Sequence, residues 1–168
     1  GHRVRVLTAD RGYDDPAAAY PSRERRDGVD IRRLPLSSFG KRSVLIRLLG
    51  GGSFVLQAIW RGVRERDLDA ILVSTSPPLA SVAAMVISSF RRTPIKFWVM
   101  DLNPDQAIAL RVIRPGSIPA RIFDWLNRKM LARAEDVVVL DRFMAARIAG
   151  KLDVSSKMVV IPPWPHED

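Results

Sequence analysis

The side chains best suited to act on a hydroxyl or a phosphate gather in two short segments. In one, Asp101-Leu102-Asn103-Pro104-Asp105 sets two carboxylates and an amide directly after an apolar run over residues 95–100. A carboxylate so placed can orient or deprotonate a hydroxyl. Asp101 is therefore the candidate catalytic group, with Asn103 and Asp105 as candidate binding residues beside it. The same residues also suit a plain turn, in which Asp101 and Asn103 bond their own backbone and Pro104 holds Asn103 extended. In the other, Thr75-Ser76-Pro77-Pro78 follows the run over residues 70–75. Ser76 before Pro77 predicts a helix N-cap with proline at the first helical position. The free N–H groups of a helix start, with the Ser76 hydroxyl, suit an anion; capping alone is the simpler alternative.

A third set is cationic. Lys41, Arg42, Arg47, Arg61 and Arg64 are interleaved with Val44, Leu45, Leu48, Phe54 and Trp60. This is the pattern of an amphipathic segment on an anionic membrane surface, with arginines meeting lipid phosphates. A core helix with a solvated basic rim would look the same. The 27 basic residues against 18 acidic ones leave a formal charge of +9, which favours polyanionic partners. Nucleic acid is the least favoured of these, because the sequence shows neither a recognition-helix pattern nor an RNA-binding aromatic signature.

Other chemistries are excluded by residue type. The chain has no cysteine, so disulfides, thiolate zinc sites and thiol catalysis are out. Its two histidines, His2 and His166, stand at opposite ends, so neither a histidine metal site nor a histidine base is expected. Neither a G-x-x-x-x-G-K phosphate loop nor a G-x-G-x-x-G turn is present. No cofactor is expected. No apolar run approaches the roughly 20 residues of a membrane span, and the chain opens directly on a strand pattern, so a soluble or peripheral cytoplasmic protein is expected.

The elements that must position these groups follow from periodicity. Strands are predicted over residues 3–8, 29–34, 70–75, 95–100, 136–140 and 158–161, several of them apolar on both faces as in a parallel sheet covered by helices. Helices are predicted over 43–66, 78–90, 118–134 and 142–151, with Ser117 and Asp141 as N-caps of the last two. The alternation predicts one doubly wound α/β domain over 1–168. Ile118, Ile122, Trp125, Leu126 and Met130 are predicted to form one core-facing stripe. Gly50-Gly51-Gly52 predicts a kink or two short helices, at about 1 kcal/mol lost per glycine. Residues 11–27, with Gly12, Pro16, Pro21 and a charge run, read as a loop.

Six segments in order, "GHRVRVLTA", "GVDIRRLP", "DAILVSTSPPL", "FWVMDLNPD", "ARAEDVVVL" and "KMVVIPPW", resemble the amino-terminal domain of family 4 glycosyltransferases. The likeness is strongest to the bacterial branch that builds surface polysaccharides, and it spans nearly the whole chain. It implies one half of a GT-B enzyme, with a mainly parallel Rossmann-like sheet that binds the acceptor. A second domain, absent here, would hold the nucleotide-sugar donor. Metal-independent transfer with retention, onto a polyprenyl-diphosphate-linked glycan at the inner face of the plasma membrane, is the activity implied. "MDLNPD" falls on the family's "HDxxP" position, so Asp101 matches the family aspartate and Met100 stands where many members have histidine. "SPP" at Ser76-Pro77-Pro78 implies acceptor or donor-phosphate contact.

The family's first strand and glycine-rich loop have no counterpart before Gly1. The expectations are an inactive fragment and an exposed strand edge beside residues 3–8, open to self-association. The alternative is a non-catalytic docking or scaffold subunit of a split GT-B enzyme.

Overall fold

The computed structural model describes residues 1–11, 20–36, 44–77 and 79–163, with the backbone alone for 44–48. Two compact units divide the chain, Gly1–Glu65 and Arg66–Asp168.

In the first unit, β-branched and apolar residues alternate with arginines, and three strands result: β1 (Arg5–Ala9), β2 (Arg23–Arg26) and β3 (Val29–Leu34). The sheet order is β1-β3-β2, with β1 parallel and β2 antiparallel to β3. The strand β2 corrects the expectation of a loop through residue 27. Asp27 and Gly28 both have positive φ, +50° and +83°. They form the two-residue turn whose twist suits a hairpin, and two members of the charge run, Arg23 and Glu24, find opposite charges on β3. Glu24 meets Arg33 at 2.8 Å, and Asp30 meets Arg23 at 3.2 Å, Arg32 at 3.3 Å and Arg5 at 3.1 Å. Arg5 also pairs with Glu65.

The helix α1 (Val44–Arg64) completes this unit and runs as one helix through Gly50-Gly51-Gly52, which excludes the alternative of two short helices. Phe54, Val55 and Ala58 are buried on one side of it. Their burial, on the order of 1.5–3 kcal/mol for each large side chain, offsets the glycine cost.

The second unit is a four-stranded, all-parallel sheet in the order β4 (Ile71–Ser74), β5 (Ile95–Val99), β6 (Asp136–Val139), β7 (Met158–Val160). Helices α2 (Ala80–Arg91), α3 (Asp105–Ala109), α4 (Ile118–Arg133) and α5 (Arg142–Lys151) connect the strands. This is the expected Rossmann-like α/β architecture. Its core joins Val73, Phe97, Val99, Val137 and Val139 to Met130, Leu131 and Ile148. Asp141 caps α5 as predicted, its carboxylate accepting the Met144 N–H at 2.7 Å. Ser117 occupies the N-cap of α4, but its hydroxyl makes no cap bond and its oxygen is buried without a partner.

The predicted inward stripe of α4 is rotated. Met130 is fully buried, but Ile118 and Trp125 are 73% and 57% exposed. The residues facing inward are Ala120, Met130 and Leu131, with Phe123 and Asn127 half-buried. The inward face includes a small and a polar side chain, which hydrophobic patterning passes over.

A charge cluster ties α3, α4 and α5 together. The Lys151 ammonium, in a side chain only 12% exposed, lies 2.7 Å from Asp105 and 3.2 Å from Asp124. Arg128 meets Asp124 at 2.7 Å. The hydrogen bond from Arg128, followed by that from Lys151, outweighs burial and holds the Asp124 carboxyl below its ordinary value. In the first unit, burial acts to raise Asp30, but the hydrogen bonds and charges of Arg5, Arg23 and Arg32 prevail and lower it. A carboxylate lowered on folding adds stability above its unfolded pKa of about 4 and loses it as pH falls through the folded value. The melting temperature is therefore expected to be level from about pH 5 to 8 and to fall steeply below about pH 4. Asp124→Asn is expected to lower the plateau and flatten that fall. An acid limb as steep as in the unsubstituted protein would show that Asp124 takes no part in it.

Candidate functional site

The loops that follow β4 and β5 meet at the carboxyl end of the second sheet, where ligands bind in open parallel α/β structures. Thr75 joins them. Its Oγ1 accepts the N–H of Met100 at 3.1 Å and that of Asp101 at 3.0 Å. From the other side, Asn127 of α4 donates its Nδ2 to the Asn103 carbonyl at 3.0 Å. These three bonds fix the backbone on both sides of Leu102. Beneath them lies a small cavity of about 30 Å3, with Thr75, Ser81, Asp101, Asn103 and Asn127 as its polar lining over Phe97, Phe123 and Met130.

Asp101 and Asn103 thus sit together, as the sequence predicts. The Asp101 carboxylate has no hydrogen-bond or ion-pair partner among the described residues, so it is not occupied by the turn around it. Asp105 is placed differently. Its carboxylate is taken up by Lys151 and, at 3.5 Å, by Arg147, and it lies off the cavity wall.

Ser76 is exposed and also off the wall. It does not cap a helix as expected, because α2 begins at Ala80 with Leu79 at its N-cap. The Ser76 carbonyl instead accepts the Ser74 hydroxyl at 2.8 Å. The Ser76-Pro77 and Asn103-Pro104 peptides are both cis. Pro78 lies outside the described residues.

Of the cationic set, Lys41 and Arg42 lie outside the described residues, as does the Arg47 side chain. Arg64 is exposed, with its guanidinium carbon 3.0 Å from the centroid of the exposed Trp60 ring. Arg61 is half-buried and lines a separate cavity of the first unit.

Thr75 and Asn127 are the site residues that sequence reasoning missed. Thr75 was legible as the last polar residue of a strand run, next to Ser76. Asn127 was legible from its spacing, four after Phe123 and three before Met130, which puts an amide on an otherwise apolar helix face. Among the described residues, no three carboxylate or imidazole side chains come together as a metal site would require.

A parallel sheet backed by helices, with a free carboxylate at the mouth of a central strand, defines a Rossmann-like α/β domain. Residues 1–164 match the family profile of the glycosyl transferase 4-like domain. The chain belongs to that family and is an amino-terminal domain of the family 4 glycosyltransferase type. No curated protein matches it.

Proposed function

We propose that this chain is the acceptor-side half of a retaining bacterial glycosyltransferase of surface-polysaccharide synthesis. In the two-domain enzyme, a sugar passes from a nucleotide-sugar held by the second domain to a polyprenyl-diphosphate-linked glycan. The acceptor oxygen forms a bond to the anomeric carbon, the bond to the nucleoside diphosphate breaks, and the hydroxyl proton passes to the departing diphosphate oxygen. Asp101 orients that hydroxyl by accepting its hydrogen bond, and Asn103 contacts the acceptor beside it. The observation that carries this reading is the unpartnered Asp101 carboxylate at the strand-end cavity of a family 4 domain. Ser76 and Asp105 hold outer positions, and the Asp105 carboxylate is engaged by Lys151 at 2.7 Å.

The test is calorimetry on these 168 residues with two titrants, a short-chain polyprenyl-diphosphate disaccharide and a panel of nucleotide-sugars. Binding of the lipid-linked disaccharide alone is expected, and its loss of affinity in Asp101→Ala assigns the site. Micromolar binding of a nucleotide-sugar to this chain by itself would overturn the acceptor-side assignment.

A lipid-linked acceptor requires the protein to work at a membrane surface. No helix of the described residues is long and apolar enough to cross a membrane. Leu49, Leu56 and Trp60 of α1 are exposed at helical spacing, and so are Ile118, Ile122 and Trp125 of α4. Arg64 flanks the first stripe and Arg121 the second. An apolar strip bordered by arginines is suited to the headgroup boundary of an anionic leaflet. The protein is expected to sediment with phosphatidylserine vesicles and to be released as salt shortens the Debye length. Arg64→Gln is expected to weaken binding about fivefold, the equivalent of about 1 kcal/mol per cation near the surface. Equal sedimentation with phosphatidylcholine vesicles would remove the electrostatic part of this proposal.

A further inference from the structure

The first unit has its own cavity, of about 460 Å3, at the end of its sheet. Asp10 stands there just past β1 and Pro35 just past β3. Because β2 runs antiparallel, its first residue, Arg23, reaches the same end. The volume falls within the usual range for a small-molecule pocket.

Its wall presents the guanidinium side chains of Arg23, Arg32, Arg33 and Arg61 against the single carboxylate of Asp10. The charges behind the wall leave this excess partly uncompensated. Asp30 is shared among Arg5, Arg23 and Arg32. Arg33 is held by Glu24 at 2.8 Å and by the Pro21 carbonyl at 2.9 Å, and it lies 5.0 Å from the centroid of the Tyr20 ring. Arg33 is therefore a fixed part of the wall. Arg61 has no partner among the described residues.

Asp10 carries the second, independent signal. It is the one carboxylate among the described lining residues, and it makes no hydrogen bond or ion pair with any of them. Carboxylate oxygens on the wall call for a hydroxyl or N–H donor from the molecule that fills the cavity. Guanidinium forks match phosphate oxygens in pairs. An anion with no donor would meet repulsion from Asp10, and a neutral polyol would leave the arginines unused.

We infer that this cavity binds a hydroxyl-bearing phosphate ester, with phosphate oxygens on Arg23, Arg32 and Arg61 and a hydroxyl donated to Asp10. The chemistry is that of a sugar phosphate or of a polyol headgroup on a phospholipid. The site involves no residue of the strand-end cavity in the second unit and does not depend on the transferase reading.

Calorimetry on the full chain with glucose 1-phosphate, inorganic pyrophosphate and glucose tests it. Both phosphate probes are expected to bind, glucose 1-phosphate more tightly, and glucose not at all. Arg61→Gln is expected to weaken both phosphate probes about tenfold, as loss of a charged hydrogen bond does. Asp10→Asn removes a charge as well as an acceptor, so it is expected to tighten pyrophosphate and to cut the preference for glucose 1-phosphate about tenfold. Arg23→Gln, at a largely exposed position, repeats the arginine test if Arg61→Gln proves unfolded by circular dichroism.

Competition by phosphatidylglycerol vesicles, and not by phosphatidylcholine, would identify the lipid headgroup as the source. Its absence, with glucose 1-phosphate still bound, would identify the soluble ester. The inference is overturned if neither phosphate probe binds at millimolar concentration, if folded arginine variants bind as the unsubstituted protein does, or if Asp10→Asn weakens both probes equally.

Discussion

Replacing Asp101 by alanine in the proposed two-domain transferase is expected to lower sugar transfer at least about tenfold, equivalent to roughly 1.4 kcal/mol of transition-state stabilisation. The melting temperature is expected to stay within about 2 °C, as for a substitution that breaks no packed contact. The two expectations separate because the Asp101 backbone and side chain have different duties. The backbone N–H is fixed by the Thr75 hydroxyl, and the adjoining loop by Asn127. The carboxylate holds nothing among the described residues. Thr75→Val is the counterpart, since it strips the acceptor from two backbone N–H groups while Asp101 stays in the chain. It is expected to lower both transfer and stability, by about 1 kcal/mol for each lost bond in the latter. A radiolabelled-sugar assay with parallel thermal melts reads all four values. Unchanged transfer in Asp101→Ala would remove its role, and a large fall in melting temperature would make it a structural turn residue.

The largest expected change in stability is at Leu131. Leu131→Ala removes a fully buried side chain from the core of the second unit. A cost of about 3 kcal/mol is expected from lost transfer energy and the cavity left behind. In a unit of this size that corresponds to a fall of roughly 15 °C in melting temperature. Trp125→Ala, six residues earlier in α4, removes a larger side chain that is 57% exposed, and is expected to change stability by less than about 1 kcal/mol. The ordering tests the rotated face of α4 directly. A greater loss at Trp125 than at Leu131 would restore the inward stripe that hydrophobic patterning predicts. Vesicle binding would read Trp125→Ala in the opposite sense, because the exposed ring belongs to the face proposed to meet the membrane.

Much of the second unit was legible from local pattern. The apolar runs that became β4 to β7 are short, rich in β-branched residues and bounded by polar turns. Helix α5 begins and ends where its periodicity and the Asp141 cap place it. The pairing of Asp101 with Asn103 at the end of β5 also followed from order alone, since both lie just past the strand. The hairpin of β2 and β3 was legible too, in Asp27-Gly28 between two strand-like runs, but the charge run masked it. Arg23 and Glu24 pair with Asp30 and Arg33 across the strands, a relation that a scan along the chain does not display.

The sequence by itself determined where the chain turns, which runs extend or coil, and which family the order of its segments resembles. These depend on φ/ψ preference, caps and side-chain period, all of which act within a few residues. Only the tertiary structure decided which face of α4 turns inward, that α1 continues through three glycines, and that Asp105 is bound by Lys151 while Asp101 stays free. It alone also assembled the arginine cavity from β2, β3 and α1, residues separated by nearly forty positions. These outcomes depend on packing and charge pairing between segments distant in sequence. Such long-range terms can outweigh a helix propensity of about 1 kcal/mol per residue or a hydrophobic stripe that finds no partner.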